Sequence, residues 1–409
     1  MRFASAAASS ILSGSFDHNW VADLYYNGER RLKDVPLTDV SFTEDAEAAV
    51  QQSGSCKIVW ADDFGRSATP REVADWFAPF GARLHVYSIL SAGSFSERVE
   101  YGRFEITDVP AARDAGMDFR GQWVTTGSVV ELELKELLAR VDAETFDVPS
   151  APASLDSAWD EVARITGLPV SRSVADAAIP RSVMYEDVKL DAIYNLMDVV
   201  LDAVPHMTAD GAIGARPNAL GSVVATLRRG EGGCLVDVGA AMSAARVYNR
   251  VVVRATSGDQ AQVLAVAEVT TGPLRVRNTD GSLSPFGART YYQSSEFVTT
   301  PGQAQAWADS TLATVSSLRA TRVPVEETFN PLRERGDVVL VERATEWLFG
   351  RVVTIRRSRR ATQDLVVEVE STSPNTLPVP VPWPDETGLD GAYPAADVFP
   401  AADLFPVEA

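Results

Sequence analysis

Residues 330–360 read NPLRERGDVVLVERATEWLFGRVVTIRRSRR, and this stretch decides the fold class. Its apolar runs, DVVLVE and GRVVTIRR, are rich in β-branched residues and are bounded by polar turns, which is typical of β-strands. A third run, DLVVEVES, follows the arginines and is expected to form a hairpin with the second run. The stretch therefore predicts consecutive β-strands joined by short turns.

The same stretch contains an Arg-Gly-Asp tripeptide at Arg335, Gly336 and Asp337. An adhesion motif of this kind must lie at an exposed loop tip. Gly336 and Asp337 instead come directly before the run VVLVE, where a glycine–aspartate turn is expected. We interpret the tripeptide as the turn that leads into a strand and not as an adhesion site.

Similar strand patterns occupy most of the chain upstream. Asn27-Gly28 separates the runs WVADLYY and ERRLKDVPL, and this dipeptide between two such runs predicts a hairpin. A second short hairpin is expected around Asp210-Gly211, and further strand runs begin at Cys234. Many short strands punctuated by glycine and proline indicate a barrel or a sandwich.

Three segments change to the spacing of a helix. The first is predicted to begin with Ser154 as its N-cap and to end at Gly167. The second carries an apolar stripe that reaches Val204, and Pro205 is expected to end it. The third is expected to begin at Pro301, because proline suits the first position of a helix.

The pattern as a whole predicts a mainly β protein with inserted helices. We expect two β-barrel-like domains with small α/β insertions and an extended C-terminal arm. The Pro/Ser/Ala-rich run VDAETFDVPSAPAS marks the first boundary. The predicted segments are a β-barrel domain at 1–145, a helical and hairpin region at 146–233, a second β-barrel-like domain with one long helix at 234–373, and the arm at 374–409.

Composition excludes several classes of function. The chain has 409 residues, 45% of them hydrophobic, which is enough to form buried cores. Its formal charge of -19 argues against a general surface for nucleic acid or anionic membranes, because phosphates would be repelled. No apolar run reaches the length of a membrane-spanning helix. Cys56 and Cys234 are interpreted as small buried apolar residues, since neither belongs to a zinc-type spacing.

The sequence contains no recognisable catalytic constellation. It has neither a GxxxxGK[ST] phosphate loop nor a GxSxG nucleophile turn, and its three histidines are scattered. Carboxylates such as Glu131 and Glu133 would share one face of a strand, but a solvated strand face explains this spacing equally well. We therefore expect a protein that is not an enzyme and that has no cofactor and no metal site.

Two features are candidates for contacts in an assembly. Arg356, Arg357, Arg359 and Arg360 cluster at a predicted hairpin turn of an otherwise acidic protein. Such a cluster is either a solvated turn or a docking patch for an acidic neighbour. The arm at 374–409 has six acids and no base, and Phe399 and Phe405 are its predicted anchors on a partner. A poorly ordered tail is the alternative for the arm.

A strand NRVVV, a connection containing PFGARTYYQSSEFVTT, and a helix opening TPGQA follow residue 248 and precede the stretch at 330–360. This order of motifs resembles the tail-hub proteins of bacteriophages. The N-terminal runs LSGSFDHNWVADLYYNG and KIVWADD further resemble the opening barrel of minor tail proteins. The recurring strand motif of this family is matched at Asn330, Pro331, Gly336, Asp337 and Val339.

The resemblance implies a structural role in a virion tail, with assembly in the host cytoplasm. Members of this family form homotrimers whose β-barrel-like domains build a ring at the distal end of the tail tube. The expected partners are a distal tail protein or tail tube protein, the tape measure protein and other minor tail proteins. DNA is expected only in transit through the ring, and the negative charge of the chain would prevent it from binding there.

Two other functions remain open at this stage. A receptor- or carbohydrate-binding tail protein would need an exposed aromatic cluster, for which Tyr291, Tyr292 and Trp347 are the candidates. A cell-wall hydrolase would need a catalytic constellation that the sequence does not display. Many relatives in flexible tails carry a long C-terminal fibre or lytic region, whereas here a short arm follows residue 373, which favours a hub without lytic activity.

Overall fold

The computed structural model describes residues 2, 4–61, 66–181, 183–240, 247–255, 262–294, 301–316, 321–344 and 346–374. Phe399 and Phe405 lie outside the described residues. The described part is mainly β with short inserted helices, as the sequence predicts. No helix in these ranges is long and apolar enough to cross a membrane.

The N-terminal part is a closed ring of six antiparallel strands. Hydrogen bonds join the strands in the order β1-β4-β5-β6-β3-β2, and β2 also pairs with β1, so the circle of pairings closes. We call it the six-stranded ring. Its elements are α1 (Ala6–Ile11), β1 (Asp17–Tyr26), β2 (Glu29–Asp45), β3 (Gln52–Trp60), β4 (Ala82–Ala92), β5 (Phe95–Phe119) and β6 (Gln122–Glu136).

Local sequence explains how this ring forms. Asn27 and Gly28 have φ values of 51° and 79°, which is the left-handed backbone that a two-residue hairpin turn requires. The hairpin predicted at this dipeptide is therefore confirmed. Alternate side chains of each strand point inward, and Trp20, Phe42 and Tyr101 form an aromatic centre with ring centroids 4.8–5.3 Å apart.

Three helices and a hairpin follow the six-stranded ring. Residues 138–217 form a compact unit with its own apolar core around Trp159 and Met197. The hairpin predicted around Asp210-Gly211 is confirmed, and Gly211 has a φ of 77°. The elements of this unit are α2 (Leu138–Ala143), α3 (Ala158–Thr166), α4 (Lys189–Leu201), β7 (Ala203–Met207) and β8 (Ile213–Pro217).

Two predicted helix ends were wrong. The N-cap of α3 is Ser157 and not Ser154, because the Ser157 hydroxyl accepts a hydrogen bond from the backbone N–H of Asp160. Helix α4 ends at Leu201, before the predicted stop at Pro205, because Asp202 adopts a left-handed conformation with a φ of 48°. The segment that follows Asp202 is strand β7. The predicted end of α3 at Gly167 is confirmed, with a φ of 63°.

The C-terminal part combines a small sheet of its own with six strands of a larger sheet. Strands β12, β11 and β13 form a three-stranded sheet, and Ala304 and Ala308 of α5 pack on its Val251 and Val253. The elements are β9 (Ala225–Leu227), β10 (Leu235–Val238), β11 (Arg250–Ala255), β12 (Gln262–Glu268), β13 (Thr290–Ser294), α5 (Pro301–Val315), β14 (Thr321–Thr328), β15 (Val338–Glu342), β16 (Glu346–Ser358) and β17 (Thr362–Pro374).

The strands of the quoted stretch connect the two halves of the protein. β16 pairs with β15 and β17 in its own half, and its last residues pair with β2 from Thr354 opposite Asp45 to Ser358 opposite Ser41. One 12-stranded sheet therefore runs through both halves of the chain. The domain boundaries at 145, 233 and 373 remain predictions.

Candidate assembly surface and buried ionic junction

The Arg-Gly-Asp turn lies inside the protein. Arg335 and Asp337 are buried, and the N–H of Gly336 donates to the carbonyl of Val352 at 2.7 Å. Gly336 has a φ of 89°, so a residue with a side chain would be strained there. Strand β15 begins at Val338, directly after the turn. The interpretation of the tripeptide as a strand-leading turn is confirmed, because no exposed loop tip is formed.

Arg335 instead joins the turn to the six-stranded ring. Its Nε donates to Oε1 of Gln51 at 2.6 Å, and its Nη1 and Nη2 lie 3.4 Å from Oε2 of Glu44 and 3.3 Å from Oε2 of Glu136. Glu44 belongs to β2 and Glu136 to β6. One guanidinium therefore contacts two carboxylates of the ring from the other half of the molecule.

Glu44 is the centre of this cluster. Its carboxylate also accepts from Nη2 of Arg2 at 2.7 Å and from Nη1 of Arg357. Burial by itself would raise the pKa of Glu44, but Arg2, Arg357 and Arg335 together hold it well below its usual range. Glu44 is therefore a carboxylate that stays charged at neutral pH although it lies in the interior.

The network continues into the second half of the chain. Arg357 Nε donates to Oε1 of Gln363 at 2.9 Å, and Gln363 Nε2 donates to Oε1 of Glu327 at 2.7 Å. Arg333 binds both oxygens of Glu327, at 3.1 and 3.0 Å. We call the whole set the buried ionic junction, and its charged members are Arg2, Glu44, Glu136, Glu327, Arg333, Arg335 and Arg357.

The junction has a structural role. Buried charges are tolerated only when they are paired and hydrogen-bonded, so this set is satisfied only when β2, β6, β16 and the 330–337 turn hold their observed positions. Burial raises the pKa of Glu136, and Arg335 lowers it only in part. Sequence reasoning missed the junction, because its members come from separate segments and no local spacing connects them.

The predicted arginine cluster divides between the surface and the interior. Arg356, Arg359 and Arg360 are exposed at the end of β16 and in the turn that follows, and we call these three the arginine patch. The prediction that Arg357 is a surface contact was wrong. Successive strand residues point to opposite faces, and Arg357 points inward, where Glu44 and Gln363 bind it.

The arginine patch has no acidic partner within the part of the chain that the structure describes. Arg359 Nη2 donates to the amide oxygen of Asn19 at 3.1 Å, and no ion pair involves any of the three guanidinium groups in that part. A shallow cleft of about 550 Å³ borders Arg359, and it is lined by the half-buried ring of His18, which stacks at 3.7 Å on the buried ring of Phe329. Cationic and aromatic groups thus lie side by side on this surface.

The groups that could serve catalysis are dispersed. His85 stacks on Tyr25, and burial lowers its pKa to about 4. Cys56 is a buried free thiol whose pKa burial raises to about 12, and Cys234 is a free, half-buried thiol. Glu131 of the predicted carboxylate pair binds Lys57 Nζ at 3.2 Å. Within the described ranges, no group of three or more His, Cys, Asp or Glu side chains could hold a metal ion.

The aromatic candidates do not form one platform. Tyr292 is exposed beneath the Arg254 guanidinium, which lies 4.1 Å from its ring centroid. Tyr291 precedes it on β13, and successive strand residues face opposite sides. Tyr291 packs instead against Tyr248 at 5.3 Å, and Trp347 is half-buried. The three side chains are therefore not arranged as a stacking surface for a sugar.

No protein-family model matches the chain, and no curated protein matches it. Solved structures do match. A tail protein from Neisseria meningitidis has a TM-score of 0.51 at 12% identity, covering 86% of this chain and 96% of its own. The prophage MuSo2 43 kDa tail protein from Shewanella oneidensis has a TM-score of 0.49 at 12% identity, covering 86% of this chain and 98% of its own.

A prophage tail protein from Listeria monocytogenes has a TM-score of 0.43 at 8% identity, and covers 86% of this chain and 95% of its own. The fold argument rests on the Neisseria protein, whose TM-score exceeds one half. The resemblance to phage tail proteins that the motifs at 249–339 indicated is therefore confirmed at the level of the fold.

Proposed function

We propose that this chain, which has the fold of a tail protein, is the structural hub of a phage tail tip or baseplate. In this proposal it forms a homotrimeric ring at the distal end of the tail tube and lets DNA pass. The observation that carries the proposal is the likeness to a tail protein over 86% of the chain. Three copies per particle are expected when light scattering measures the mass of the purified chain.

A hub must transmit load and present fixed surfaces to several neighbours. The 12-stranded sheet and the buried ionic junction support this role, because they hold both halves of each subunit in one register. Rigid subunits suit large closed interfaces, which symmetric rings require. The proposed neighbours are a distal tail protein or tail tube protein, the tape measure protein and other minor tail proteins.

The charge of the chain supports DNA transit without DNA binding. A formal charge of -19 repels phosphates, so a lumen lined by acids would not retain the genome. We propose that the protein resides in the virion at the tail tip and is assembled in the host cytoplasm. A lumen lined mainly by arginine and lysine would contradict this part of the proposal.

The arginine patch is the proposed docking site for a C-terminal arm of a neighbouring copy or of another minor tail protein. The arm at 374–409 has six acids and no base, and it includes Phe399 and Phe405. Its carboxylates would pair with Arg356, Arg359 and Arg360, which have no acidic partner in the described part of the chain. A phenylalanine of the arm would enter the cleft beside Phe329.

Reversing the charge of the patch is expected to weaken assembly. The double variant Arg359→Glu/Arg360→Glu should raise the dissociation constant of the ring at least about tenfold, because carboxylates would meet carboxylates. Deleting residues 374–409 should weaken assembly similarly and leave the circular dichroism spectrum of the fold intact. Analytical ultracentrifugation across a concentration series measures both effects.

The matched control is Arg228→Glu/Arg277→Glu, which makes the same change of charge at two exposed arginines elsewhere. This control is expected to assemble as the wild type does. If neither the patch variant nor the deletion changes assembly, the arm does not dock on the patch.

A receptor- or carbohydrate-binding tail protein is the second candidate. The observation that favours it is the exposed ring of Tyr292 beneath Arg254. Tyr291 faces the other side of the strand, so a stacking platform of two rings is missing at this place. The hub proposal requires no such platform, and the arrangement of aromatic residues therefore favours the hub.

A further inference from the structure

Strands β5 and β6 extend beyond the six-stranded ring as a free two-stranded ribbon. β5 pairs with β4 only as far as Glu105, and β6 pairs with β3 only as far as Ser128. Residues 115–127, which we call the ribbon, pair only with each other. Arg120 and Gly121 form the turn at its tip, with φ values of 56° and 78°. An isolated two-stranded ribbon is marginally stable in water, so a partner is expected to cover it.

The ribbon carries large apolar side chains that nothing in the described chain covers. Met117 lies opposite Val124, and Phe119 follows two residues on, so these three share one face. Trp123, on the other face, is 65% exposed. The guanidinium of Arg120 lies 5.3 Å from the Phe119 ring centroid, and no carboxylate of the described chain pairs with it. The tip thus presents an exposed aromatic ring beside an unpaired cation.

A groove with the complementary character lies on the helical unit. The segment 183–188 and helix α4 enclose about 470 Å³. Exposed Met184 and Val199 give the groove an apolar lining. Its rim carries three exposed carboxylates, which form no ion pair within the described residues: Glu186, Asp187 and Asp191.

We propose that the ribbon tip of one copy docks in this groove of a second copy. Phe119 enters between Met184 and Val199, and Arg120 pairs with the rim carboxylates. Both surfaces belong to the same chain, and their charges and apolar groups are complementary, which favours a second copy over an unrelated partner. Contacts between two different surfaces of identical subunits propagate head to tail, and they close into a ring when the rotation between neighbours completes a circle. This inference rests on the proposed ring and assigns one of its interfaces.

Disulfide trapping tests the contact directly. Chains carrying Arg120→Cys and chains carrying Asp191→Cys are purified, mixed in equal amounts and oxidised. The expected product is a dimer of unlike chains, with the 120–191 link identified by mass spectrometry of the joined peptides. Neither chain alone should give this link. Arg113→Cys replaces Arg120→Cys as the matched control and should give no link to Asp191→Cys, because residue 113 lies opposite Val129 within the ring.

A charge exchange tests the same contact without cysteines. Arg120→Glu and Asp191→Arg are each expected to raise the dissociation constant of the assembly about tenfold, and the double variant should recover most of the loss. Arg113→Glu is the control that should assemble normally. A ring that forms without the 120–191 link, or single variants that assemble like the wild type, would overturn this interface and leave the hub proposal standing. A link found in particles that are not rings would support the interface and contradict the hub.

Discussion

Replacing Glu44 with glutamine is expected to lower the free energy of unfolding by about 3–5 kcal/mol, because removing one charge from a buried ion cluster leaves the opposite charges uncompensated. Glutamine keeps the shape of the side chain but removes the charge that Arg2, Arg335 and Arg357 share. Arg335 keeps Glu136 as a partner, whereas Arg357 loses its carboxylate. Urea denaturation of the wild type and the variant, followed by circular dichroism, measures the difference.

The matched control is Glu131→Gln on the outer face of the same ring, where the carboxylate pairs with exposed Lys57. This control should leave the unfolding midpoint almost unchanged, because exposed pairs contribute little. Equal midpoints for Glu44→Gln and Glu131→Gln would contradict the account of the buried ionic junction.

The same variant should change how stability depends on pH. The folded pKa of Glu44 lies below the ordinary glutamate value of 4.5, so its contribution to stability is present above that pH and is lost as the pH falls below it. Glu136 acts with the opposite sign because its pKa is raised. The difference in stability between wild type and Glu44→Gln should therefore shrink as the pH falls below 4.5, the ordinary pKa of a glutamate.

Replacing Trp20 with alanine is expected to lower the free energy of unfolding by about 3–5 kcal/mol, as for other buried large-to-small changes. Trp20 is 2% exposed and packs at 5.0–5.8 Å, centroid to centroid, against Phe42, Tyr101 and Phe329. Phe329 comes from the other half of the molecule, so the cavity would loosen the contact between the halves as well as the ring core. Urea denaturation monitored by far-ultraviolet circular dichroism, which reports the backbone and not tryptophan fluorescence, measures the loss.

Trp123→Ala is the control for this change, because the same side chain is removed from the exposed ribbon. Its effect on the unfolding of the isolated chain should be about 0.5 kcal/mol or less, as for surface substitutions elsewhere. A Trp123→Ala loss as large as that of Trp20→Ala would show that the ribbon packs within its own subunit, contrary to the structure.

The strands were predicted well because the residue patterns that produce strands and hairpin turns are local in sequence. Asn27-Gly28 supplies the left-handed backbone of a hairpin turn wherever it lies between two strand runs. The start of α3 was harder to predict, because Ser154 and Ser157 are both suitable caps. Tertiary contacts select Ser157, since the N–H of Ala158 donates to the carbonyl of Ala177. The acids Asp160 and Glu161 in the first turn were the signal that favoured the later start.

The arginine cluster shows which part of a site local reasoning can reach. Alternation along β16 places Arg357 on the same face as buried Ile355, so its inward direction could have been read from the strand pattern. Its partner Glu44 lies 313 residues away, and no spacing rule connects two such positions. The inward direction of Arg357 was predictable, whereas the identity of its partner required the fold.

The mass and symmetry of the purified particle test the central claim most directly. Light scattering gives the number of copies, and averaged electron-microscope images of the same sample give the symmetry. The account predicts a particle of three copies with threefold symmetry and a central hole wide enough for DNA. A particle of one copy, with no ring in the averaged images, would contradict it.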